Sequence, residues 1–292
     1  TYFFTPHWPL IKDERLKTKD KSDWKTDYFN ILWSILPQIK EIAKNERCSF
    51  VRLNTTLKNT KINEAEMKKL WFISSPMHIH AEDTHLLNLE KTEEELLENM
   101  DRKDRYLITR AEKEWVEIIN ENSPEQIKSL SQMHENHSKR ENWKNTYKAF
   151  SSKYINDLYK VFWKNIFTIS AKYNWKIESI LMTIKFWKVM VYYIAASDIV
   201  SKKFSPNYLC QWEAIKNAKN NWCNIYNFWW ISPDDNPKHP IAWVTKFKRK
   251  FGWYDYSLLH AQDLVISNKY WLNYFIETFR RIKRWYYYKK AE

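Results

Sequence analysis

Three observations in the sequence predict an α+β fold in which mixed β-sheets are flanked by helices. Three alternating apolar runs follow one another at 167–171, 176–185 and 188–195, which is typical of a meander of three strands. Helix-start signals stand at Thr92 and at Ser123, each followed by a glutamate or glutamine three residues later. The chain has 292 residues, of which 44% are hydrophobic, so a sizeable core and two domains are expected.

The composition excludes several classes of protein. An aromatic fraction of 17% and a charged fraction of 28% exclude a disordered chain, a collagen and a disulfide mini-scaffold. No apolar run approaches 18 residues, so no transmembrane segment is predicted, and no signal peptide pattern follows Thr1. The absence of an initiator Met suggests a fragment. Three cysteines without ligand spacing favour a reducing, cytoplasmic compartment.

The first third of the chain alternates helical and strand patterns. Apolar residues recur on one helical face from Lys25 to Lys44, where Pro37 predicts a kink or a split into two helices. The capping box at 92–95 predicts a helix with Leu96, Met100 and Ala111 on its apolar side. The other elements predicted here are a helix at 64–70, strands at 85–89 and 116–119, and a helix that starts at 123–126.

The rest of the chain continues after the meander with a loop, a helix and further strands. The predicted elements are a loop at 197–205, a helix at 206–221, a strand at 224–231, a loop at 232–240, a strand at 258–266 and a helix from Lys269. This order is that of an acyltransferase domain of the GNAT type, and the segment before Ile119 looks like a partial copy. We therefore predict two GNAT-like acyltransferase domains, at 1–116 and 117–268, with residues 269–292 forming a helix that returns to the first.

Glycine is almost absent and tryptophan is unusually frequent. The chain has one glycine, Gly252, and 17 tryptophans, whereas an ordinary domain has roughly 7% glycine. Several tryptophans stand where a turn or helix end needs glycine, as at Asn174-Trp175, Glu114-Trp115 and Asn221-Trp222. We hypothesise that many of these codons are UGA, read as glycine in the source cell. With Trp212 and Trp229 kept as tryptophan, glycine would rise to sixteen residues, near the ordinary fraction.

The net charge of +13 and the pI near 9.3 indicate a polyanionic partner. Nucleic acid, a phosphorylated ligand and an anionic membrane surface all satisfy this charge. An AT-rich genome, which enriches lysine, asparagine and isoleucine, is the alternative explanation. Lysines, arginines and aromatic residues are concentrated at 246–251 and 280–290, where they form either a solvated basic face or a surface that contacts phosphates.

Other chemistry-bearing residues form no specific motif. His78, His80, Asp83 and His85 have the ligand types of a metal site, but Pro76 and acidic neighbours favour a surface turn. Cys210 stands on a predicted helix and is interpreted as packing rather than as a nucleophile. No phosphate-binding or dinucleotide motif is present, so neither a metal nor a cofactor is predicted. Arg102, Arg105 and Arg110 share one predicted helix, where they either line a phosphate site or pair with Glu98 and Glu114.

With glycine read at the suspect tryptophans, several stretches resemble the Fem family (FemABX) in family order. Members of this family are tRNA-dependent aminoacyltransferases that form peptidoglycan bridges and consist of two GNAT-like domains. The matching stretches are 2–9, 94–97, 105–113, 208–215, 226–231 and 247–253, with Phe247-Lys248 in the part that the resemblance marks as catalytic. They span nearly the whole chain, although no single motif is decisive.

The resemblance implies a function and a set of site residues. An amino acid of the glycine, alanine or serine type would pass from aminoacyl-tRNA to the stem peptide of a UDP-linked or lipid-linked peptidoglycan precursor. The resemblance also implies that the protein is cytoplasmic and acts at the inner face of the membrane, where it would associate with the membrane surface. Lys248 would stabilise the oxyanion and Phe247 would stack on the terminal adenosine. The expected substrate-binding residues are Arg105, Tyr106, Tyr208, Gln211, Lys202 and Lys203.

The chain also departs from the family pattern. A further N-terminal region that carries part of the substrate site is absent, His7 stands where arginine is common, and no long coiled-coil arm interrupts the second domain. Two other functions remain open at this point. The fold alone would suit an acyl-CoA N-acyltransferase, although the loop at 197–205 lacks a glycine-rich pyrophosphate cradle. A non-catalytic RNA-binding module would keep the basic surface but not the catalytic role of Lys248.

Overall fold

The computed structural model describes residues 2–5, 24–77, 82–141, 150–198, 205–239 and 241–290. The strands are β1 (Phe3–Thr5), β2 (Phe50–Leu53), β3 (Phe72–Ser74), β4 (Asp83–Asn88), β5 (Glu117–Asn120), β6 (Ile166–Tyr173), β7 (Lys176–Phe186), β8 (Val189–Ser197), β9 (Ile225–Trp230), β10 (Tyr254–Ser257) and β11 (Gln262–Val265). The helices are α1 (Trp24–Asn45), α2 (Lys61–Lys69), α3 (Glu93–Glu98), α4 (Arg102–Lys113), α5 (Pro124–Glu141), α6 (Ser152–Phe162), α7 (Pro206–Asn220), α8 (Ala242–Arg249) and α9 (Lys269–Lys290). Among these helices, none combines the length and the apolar character that a membrane span needs.

The chain divides into two compact units, whose limits differ from the predicted domain limits. The first unit comprises Thr1–Asp83 and Tyr256–Glu292, and the second comprises Thr84–Asp255. Helix α4, predicted to belong to the first domain, packs on α7 inside the second unit. Strand β11, predicted to belong to the second domain, pairs antiparallel with both β2 and β3 of the first unit. These long-range pairings, rather than position along the chain, set the limits.

The first unit is a four-stranded mixed sheet with helices, in the order β1-β2-β11-β3. Strand β1 runs parallel to β2, whereas β11 is antiparallel to its two neighbours. Its apolar core includes Leu32 and Leu36 of α1, Met67 of α2 and Leu264 of β11. The predicted apolar face of α1 therefore faces a core, as its period of 3.6 residues requires.

A buried ionic network links β2, β11 and α9 in the first unit. The Arg52 guanidinium donates from Nε and Nη2 to the Asp263 carboxylate, at 2.6 and 2.7 Å. Its Nη2 also donates to Glu277 Oε2 at 2.8 Å, and the Tyr270 hydroxyl donates to Asp263 at 3.0 Å. Burial raises the pKa of Asp263, and its hydrogen bonds from Arg52 oppose that rise. The network attaches α9 to the unit that contains the first 83 residues.

The second unit contains most of a seven-stranded mixed sheet, in the order β10-β4-β9-β8-β7-β6-β5. The predicted meander is present as β6, β7 and β8, which pair antiparallel in succession. Helix α7 follows and packs against β6 and β7, and β9 then returns parallel to β8. A core on one side of the sheet includes Ile169, Leu181, Ile215 and Tyr226.

Strands β8 and β9 pair only over Val189–Val191 and Ile225–Asn227. Beyond these residues the structure gives no pairing between them, although β8 continues to Ser197 and β9 to Trp230. Strand β9 also carries a bulge against β4, because Thr84 is opposite Trp230 whereas Leu86 is opposite Asn227. The end of β9 thus pairs with β4 through a bulge on one side, and on its other side the structure gives it no pairing with β8.

Three sequence predictions of local structure were wrong or incomplete. Pro37 does not split α1, which is one helix of 22 residues. Proline lacks an N–H and so removes one backbone hydrogen bond, to the carbonyl of residue 33. Residue 33 is exposed, so water can bind that carbonyl instead. The predicted strand at 258–266 is shorter, since only Gln262–Val265 pairs as β11. Helix α8 was not predicted at all.

The tryptophan predictions are largely confirmed. Trp115 and Trp222 directly follow the C-caps of α4 and α7, and Trp175 lies in the turn between β6 and β7. Trp212 is 5% exposed on the packed face of α7. Trp229, which the sequence analysis kept as a tryptophan, instead has a φ of +64° within β9. That value places it with the residues at turns rather than with Trp212.

Candidate active site

Lys248 is a buried lysine at the point where β8 and β9 separate. Its side chain extends from α8, is 6% exposed and donates from Nζ to the carbonyl oxygen of Trp230 at 2.7 Å. The same Nζ lies 5.7 Å from the centroid of the Tyr192 ring on β8. A carbonyl oxygen and the face of an aromatic ring are both partners for a cation in a site of low dielectric constant.

Burial lowers the pKa of the Lys248 ammonium to about 7. Taking a charge out of water disfavours the charged form, and no carboxylate contributes to the shift. Near neutral pH the group therefore exists in both protonation states. A lysine with such a pKa can donate a proton, accept one or stabilise a developing negative charge, and perturbed groups of this kind cluster at functional sites.

Helix α8 is held at the end of β9 by a hydrogen bond that the side chain of Thr245 accepts. The Thr245 hydroxyl accepts from the backbone N–H of Ser232 at 2.8 Å and donates to the carbonyl of Ile241 at 3.0 Å. Thr245 and Lys248 are three residues apart, so they lie on one face of the helix, and both are buried. This buried face orients Lys248 towards β9 while Lys246 points to solvent.

Phe247 lies in an aromatic cluster beside Lys248. Its partly buried ring packs edge-on against Tyr208 at 5.3 Å and against Phe251 at 5.4 Å between centroids. Tyr208 and Phe251 are themselves buried parts of the apolar core. Phe247 is therefore fixed in orientation by its neighbours, and its predicted stacking on a nucleoside stays a prediction.

Tyr208 also belongs to a polar cluster that joins α4, α7 and the end of α8. Lys250 Nζ donates to the Tyr208 hydroxyl at 2.6 Å and lies 3.0 Å from Oδ1 of the buried Asp104. Burial of Lys250 opposes its charge, but the hydrogen bonds to Tyr208 and Asp104 outweigh that effect and raise its pKa. Sequence reasoning missed Asp104 and Lys250 because only the tertiary packing of α4 on α7 brings them together.

The other predicted substrate-binding residues occupy different environments. Gln211, on the same face of α7 as Tyr208, is 1% exposed and donates to the Tyr226 hydroxyl at 2.6 Å. Arg105 is half-buried and donates to the carbonyl of Leu97, whereas its neighbour Tyr106 is exposed. These roles stay predictions, and burial of Gln211 favours a supporting role. Lys202 and Lys203 lie outside the described residues.

The basic segment 246–250, for which the sequence left open a solvated face or a surface that contacts phosphates, has most of its cations paired or buried. Arg249 binds Asp235 and Asp255, at 2.5 and 2.6 Å, and Lys250 binds Asp104. Lys248 is buried, so Lys246 is the one exposed lysine in the segment. In the second basic segment Arg280, Arg281 and Lys283 are exposed on α9. On α4, Arg110 forms an ion pair with Glu114 at 3.8 Å, as expected if the arginines of this helix pair with glutamates rather than line a phosphate site.

The histidine cluster and Cys210 have structural partners. His85 contacts Asp255 through Nδ1 at 2.7 Å and the Gly252 carbonyl through Nε2 at 2.6 Å, and Asp83 accepts from Ser257. His78 and His80 are outside the described residues, and the part of the chain that is described contains no group of three metal-ligating side chains. Burial raises the pKa of the Cys210 thiol to about 12, so it is a poor nucleophile.

Comparison with known proteins supports the resemblance to the Fem family. Residues 171–277 match the model of the FemAB family, and this range includes β9, α8 and Lys248. The crystal structure of FemX is similar over 85% of this chain and 79% of its own chain, with a TM-score of 0.71 and 15% identity. No curated protein matches the chain.

Two further solved structures have the same fold at lower similarity. L-PGS from Bacillus licheniformis has a TM-score of 0.52 and 11% identity, over 84% of this chain and 76% of its own. A protein of unknown function from Bacteroides thetaiotaomicron has a TM-score of 0.55 and 13% identity, over 80% and 75%. The predicted α+β fold with mixed sheets and GNAT-like units is confirmed by the likeness to FemX, and the likeness of these structures is one of fold alone.

Proposed function

We propose that this chain is a tRNA-dependent aminoacyltransferase that adds an amino acid of the glycine, alanine or serine type to the stem peptide of a peptidoglycan precursor. The observation that carries the proposal is the buried Lys248, held by the Trp230 carbonyl inside the stretch that matches the FemAB family model. The reaction would take place in the cytoplasm, where charged tRNA is available.

The chemistry requires a group that stabilises negative charge on oxygen. The amine of the stem peptide attacks the ester carbonyl of aminoacyl-tRNA, an amide bond forms, and the ribose hydroxyl of the tRNA leaves. Negative charge builds on the carbonyl oxygen in the transition state, and the Lys248 ammonium would donate to it there. An ammonium has three N–H donors. The bond to Trp230 uses one of them, which leaves donors for the oxyanion.

The charge of the protein supports anionic substrates. Both aminoacyl-tRNA and a UDP-linked or lipid-linked precursor carry phosphates, and the chain carries a net charge of +13. Lys246 is exposed on α8, on a different face from the buried Lys248, and would bind a substrate phosphate at the protein surface. Phe247 lies on the same short helix, and we propose that its aromatic ring contacts the terminal adenosine of the tRNA.

Transfer assays with the purified chain test the proposal. Radiolabelled glycyl-, alanyl- and seryl-tRNA are each incubated with a UDP-linked precursor and, separately, with a lipid-linked precursor. We expect labelled precursor to form with at least one pair, and to disappear when either substrate is omitted.

The outcomes separate the proposed enzyme from its two alternatives. Transfer from acetyl-CoA in place of charged tRNA would indicate an acyl-CoA N-acyltransferase. Binding of tRNA without any transfer would indicate an RNA-binding module, and either result would contradict the proposal. Lys248→Met should abolish most of the transfer, whereas the matched control Lys246→Met, on the same helix but exposed, should retain the chemical step.

A further inference from the structure

Tryptophan occupies an unexpected share of the left-handed backbone positions in this protein. Ten non-glycine residues of the described chain have a positive φ, and seven of them are tryptophan, although tryptophan supplies only 17 of 292 residues. A chance distribution would place fewer than one tryptophan in that set. A bulky side chain at positive φ is a conformational outlier, whereas glycine adopts this region without strain. The seven positions are Trp71, Trp115, Trp175, Trp187, Trp222, Trp229 and Trp253.

Three of these tryptophans stand where helices end with glycine. In α4 the N–H of Trp115 donates to the carbonyl of Glu112, and that of Val116 donates to Ala111. This pair of bonds defines a Schellman motif, whose left-handed residue is usually glycine. Trp222 forms the same motif after α7, with bonds from Trp222 to Lys219 and from Cys223 to Ala218. Trp71 follows α2 and donates to the carbonyl of Lys68.

Two more tryptophans lie in two-residue hairpin turns. Tyr173 pairs with Lys176, so Asn174 and Trp175 form the turn, with φ values of +46° and +65°. Positive φ at both positions is the type I′ pattern, for which Asn-Gly is the preferred sequence. Phe186 pairs with Val189, and Trp187, the first residue of that turn, has a φ of +53°. Glycine is preferred at this first position in type II′ turns.

The last two positions are Trp229, beside the candidate active site, and Trp253, which follows α8 along the chain. Trp229 has a φ of +64° in the bulge of β9, and left-handed residues in such bulges are commonly glycine. It immediately precedes Trp230, whose carbonyl binds Lys248. Trp253 has a φ of +88° and directly follows Gly252, which has a φ of +80°.

Most of the seven indole rings offer no packing that would compensate for this strain. Trp71, Trp115, Trp175, Trp187 and Trp222 are between 74% and 89% exposed, so their rings lie in solvent. Trp212 is the contrasting case, since it is 5% exposed and packs in a right-handed helix. Burial thus accounts for a tryptophan at 212. Among the five exposed rings, that of Trp175 lies 4.7 Å from Lys172 Nζ, and such a cation–π contact at an exposed site stabilises by only about 0.5–1 kcal/mol.

We propose that the cell that makes this protein inserts glycine at these seven positions, because it reads their UGA codons as glycine. The functional protein is then a glycine form that differs from the tryptophan form at 71, 115, 175, 187, 222, 229 and 253. Glycine at 229 also removes the indole that lies edge-on to Tyr193, at 6.1 Å, beside the backbone that orients Lys248. This inference rests on backbone geometry and does not depend on the proposed aminoacyl transfer.

The gene and the native protein give the direct test. We expect UGA at all seven codons and UGG at Trp212, and we expect peptides of the protein purified from its source cell to have masses that correspond to glycine. UGG codons at the seven positions would overturn the proposal. Peptides that contain tryptophan there would overturn it as well, whichever codons are found.

Thermal unfolding gives an independent test. The tryptophan form and a variant with all seven Trp→Gly substitutions are compared, with Trp212→Gly in the tryptophan form as the matched control. We expect the seven-glycine variant to have a higher Tm by several degrees, or to be the one of the two that folds. Trp212→Gly, which empties a packed helical position, should lower the Tm. An equal or lower Tm for the seven-glycine variant would overturn the proposal.

Discussion

At the scale of single residues, Lys248 can be distinguished from a lysine that only binds phosphate. We predict that Lys248→Met lowers the single-turnover rate at saturating charged tRNA by roughly 10²–10³, because the oxyanion loses a donor. Its buried Nζ is not exposed to the tRNA backbone, so tRNA affinity should change little. Rapid-quench measurement of transfer, with binding measured by filter retention, checks both values.

The control for this prediction is Lys246→Met, which removes an exposed lysine from the same helix. It should weaken tRNA binding and leave the saturated rate unchanged, as loss of uniform binding does. An unchanged saturated rate in Lys248→Met would remove that residue from the catalytic role.

The lowered pKa of Lys248 predicts a pH dependence with a defined sign. The ammonium is present below its pKa of about 7 and is lost as the pH rises through that value. If the cation stabilises the oxyanion, the ratio of kcat/KM between the unmodified enzyme and Lys248→Met should fall as the pH rises through 7. Titration of the substrate amine affects both enzymes equally and cancels in the ratio. A ratio that rises over the same interval would indicate that the neutral amine acts as a base instead.

At the scale of elements, Lys250 joins the end of α8 to Asp104 of α4 and to Tyr208 of α7. We predict that Lys250→Met destabilises the protein by about 1–3 kcal/mol, because it leaves the carboxylate of Asp104 buried without its cation. Urea unfolding followed by circular dichroism measures the change. The double variant with Asp104→Leu should recover part of the loss, since it removes the stranded charge. Equal losses in the single and double variants would contradict this account.

The sequence predicted the elements whose signals are local. The capping box at Thr92 is present with both of its hydrogen bonds, and the meander turns at Asn174 and Trp187 lie where their spacing placed them. Helix α8 was missed because its lysines and arginine conceal a short buried face. Strand β11 was assigned to the second domain, whereas its residue Gln262 pairs with Leu53 of the first unit. More than 200 residues separate the two, and no local sequence pattern reports such a pairing.

The candidate site was predicted from the sequence only in part. The family resemblance pointed to Phe247 and Lys248, whereas composition alone placed them in a basic segment that was either solvated or in contact with phosphates. Burial of Lys248 depends on Tyr192 and on the carbonyl of Trp230, which approach it only once β8 and β9 have separated. Every residue has a backbone carbonyl, so the sequence alone cannot indicate which carbonyl binds Lys248. This part of the site could be identified only from the three-dimensional structure.

At the scale of the whole molecule, the net charge of +13 predicts salt-sensitive binding of tRNA. Cations that neutralise phosphates release counterions, so the logarithm of the association constant should fall linearly with the logarithm of the salt concentration. Fluorescence anisotropy with labelled tRNA, repeated over a series of salt concentrations, measures the slope. Lys246→Gln should reduce the magnitude of the slope by about one if that exposed lysine contacts a phosphate.

At pH 6, where the Lys248 ammonium with its pKa of about 7 is mostly protonated, Lys248→Met is the matched control for the salt series, because it removes a positive charge from a buried position two residues away. If net charge alone steers the tRNA, both substitutions weaken binding slightly and alike, since each changes the total charge by one unit. If direct contact with phosphates determines the affinity for tRNA, only Lys246→Gln reduces the slope of the salt dependence. We expect this second result, because the Lys248 ammonium is bound to the Trp230 carbonyl and shielded from solvent. Affinity that stays constant across the salt series would contradict electrostatic binding of tRNA, and the positive charge would then reflect the composition of the genome rather than an anionic partner.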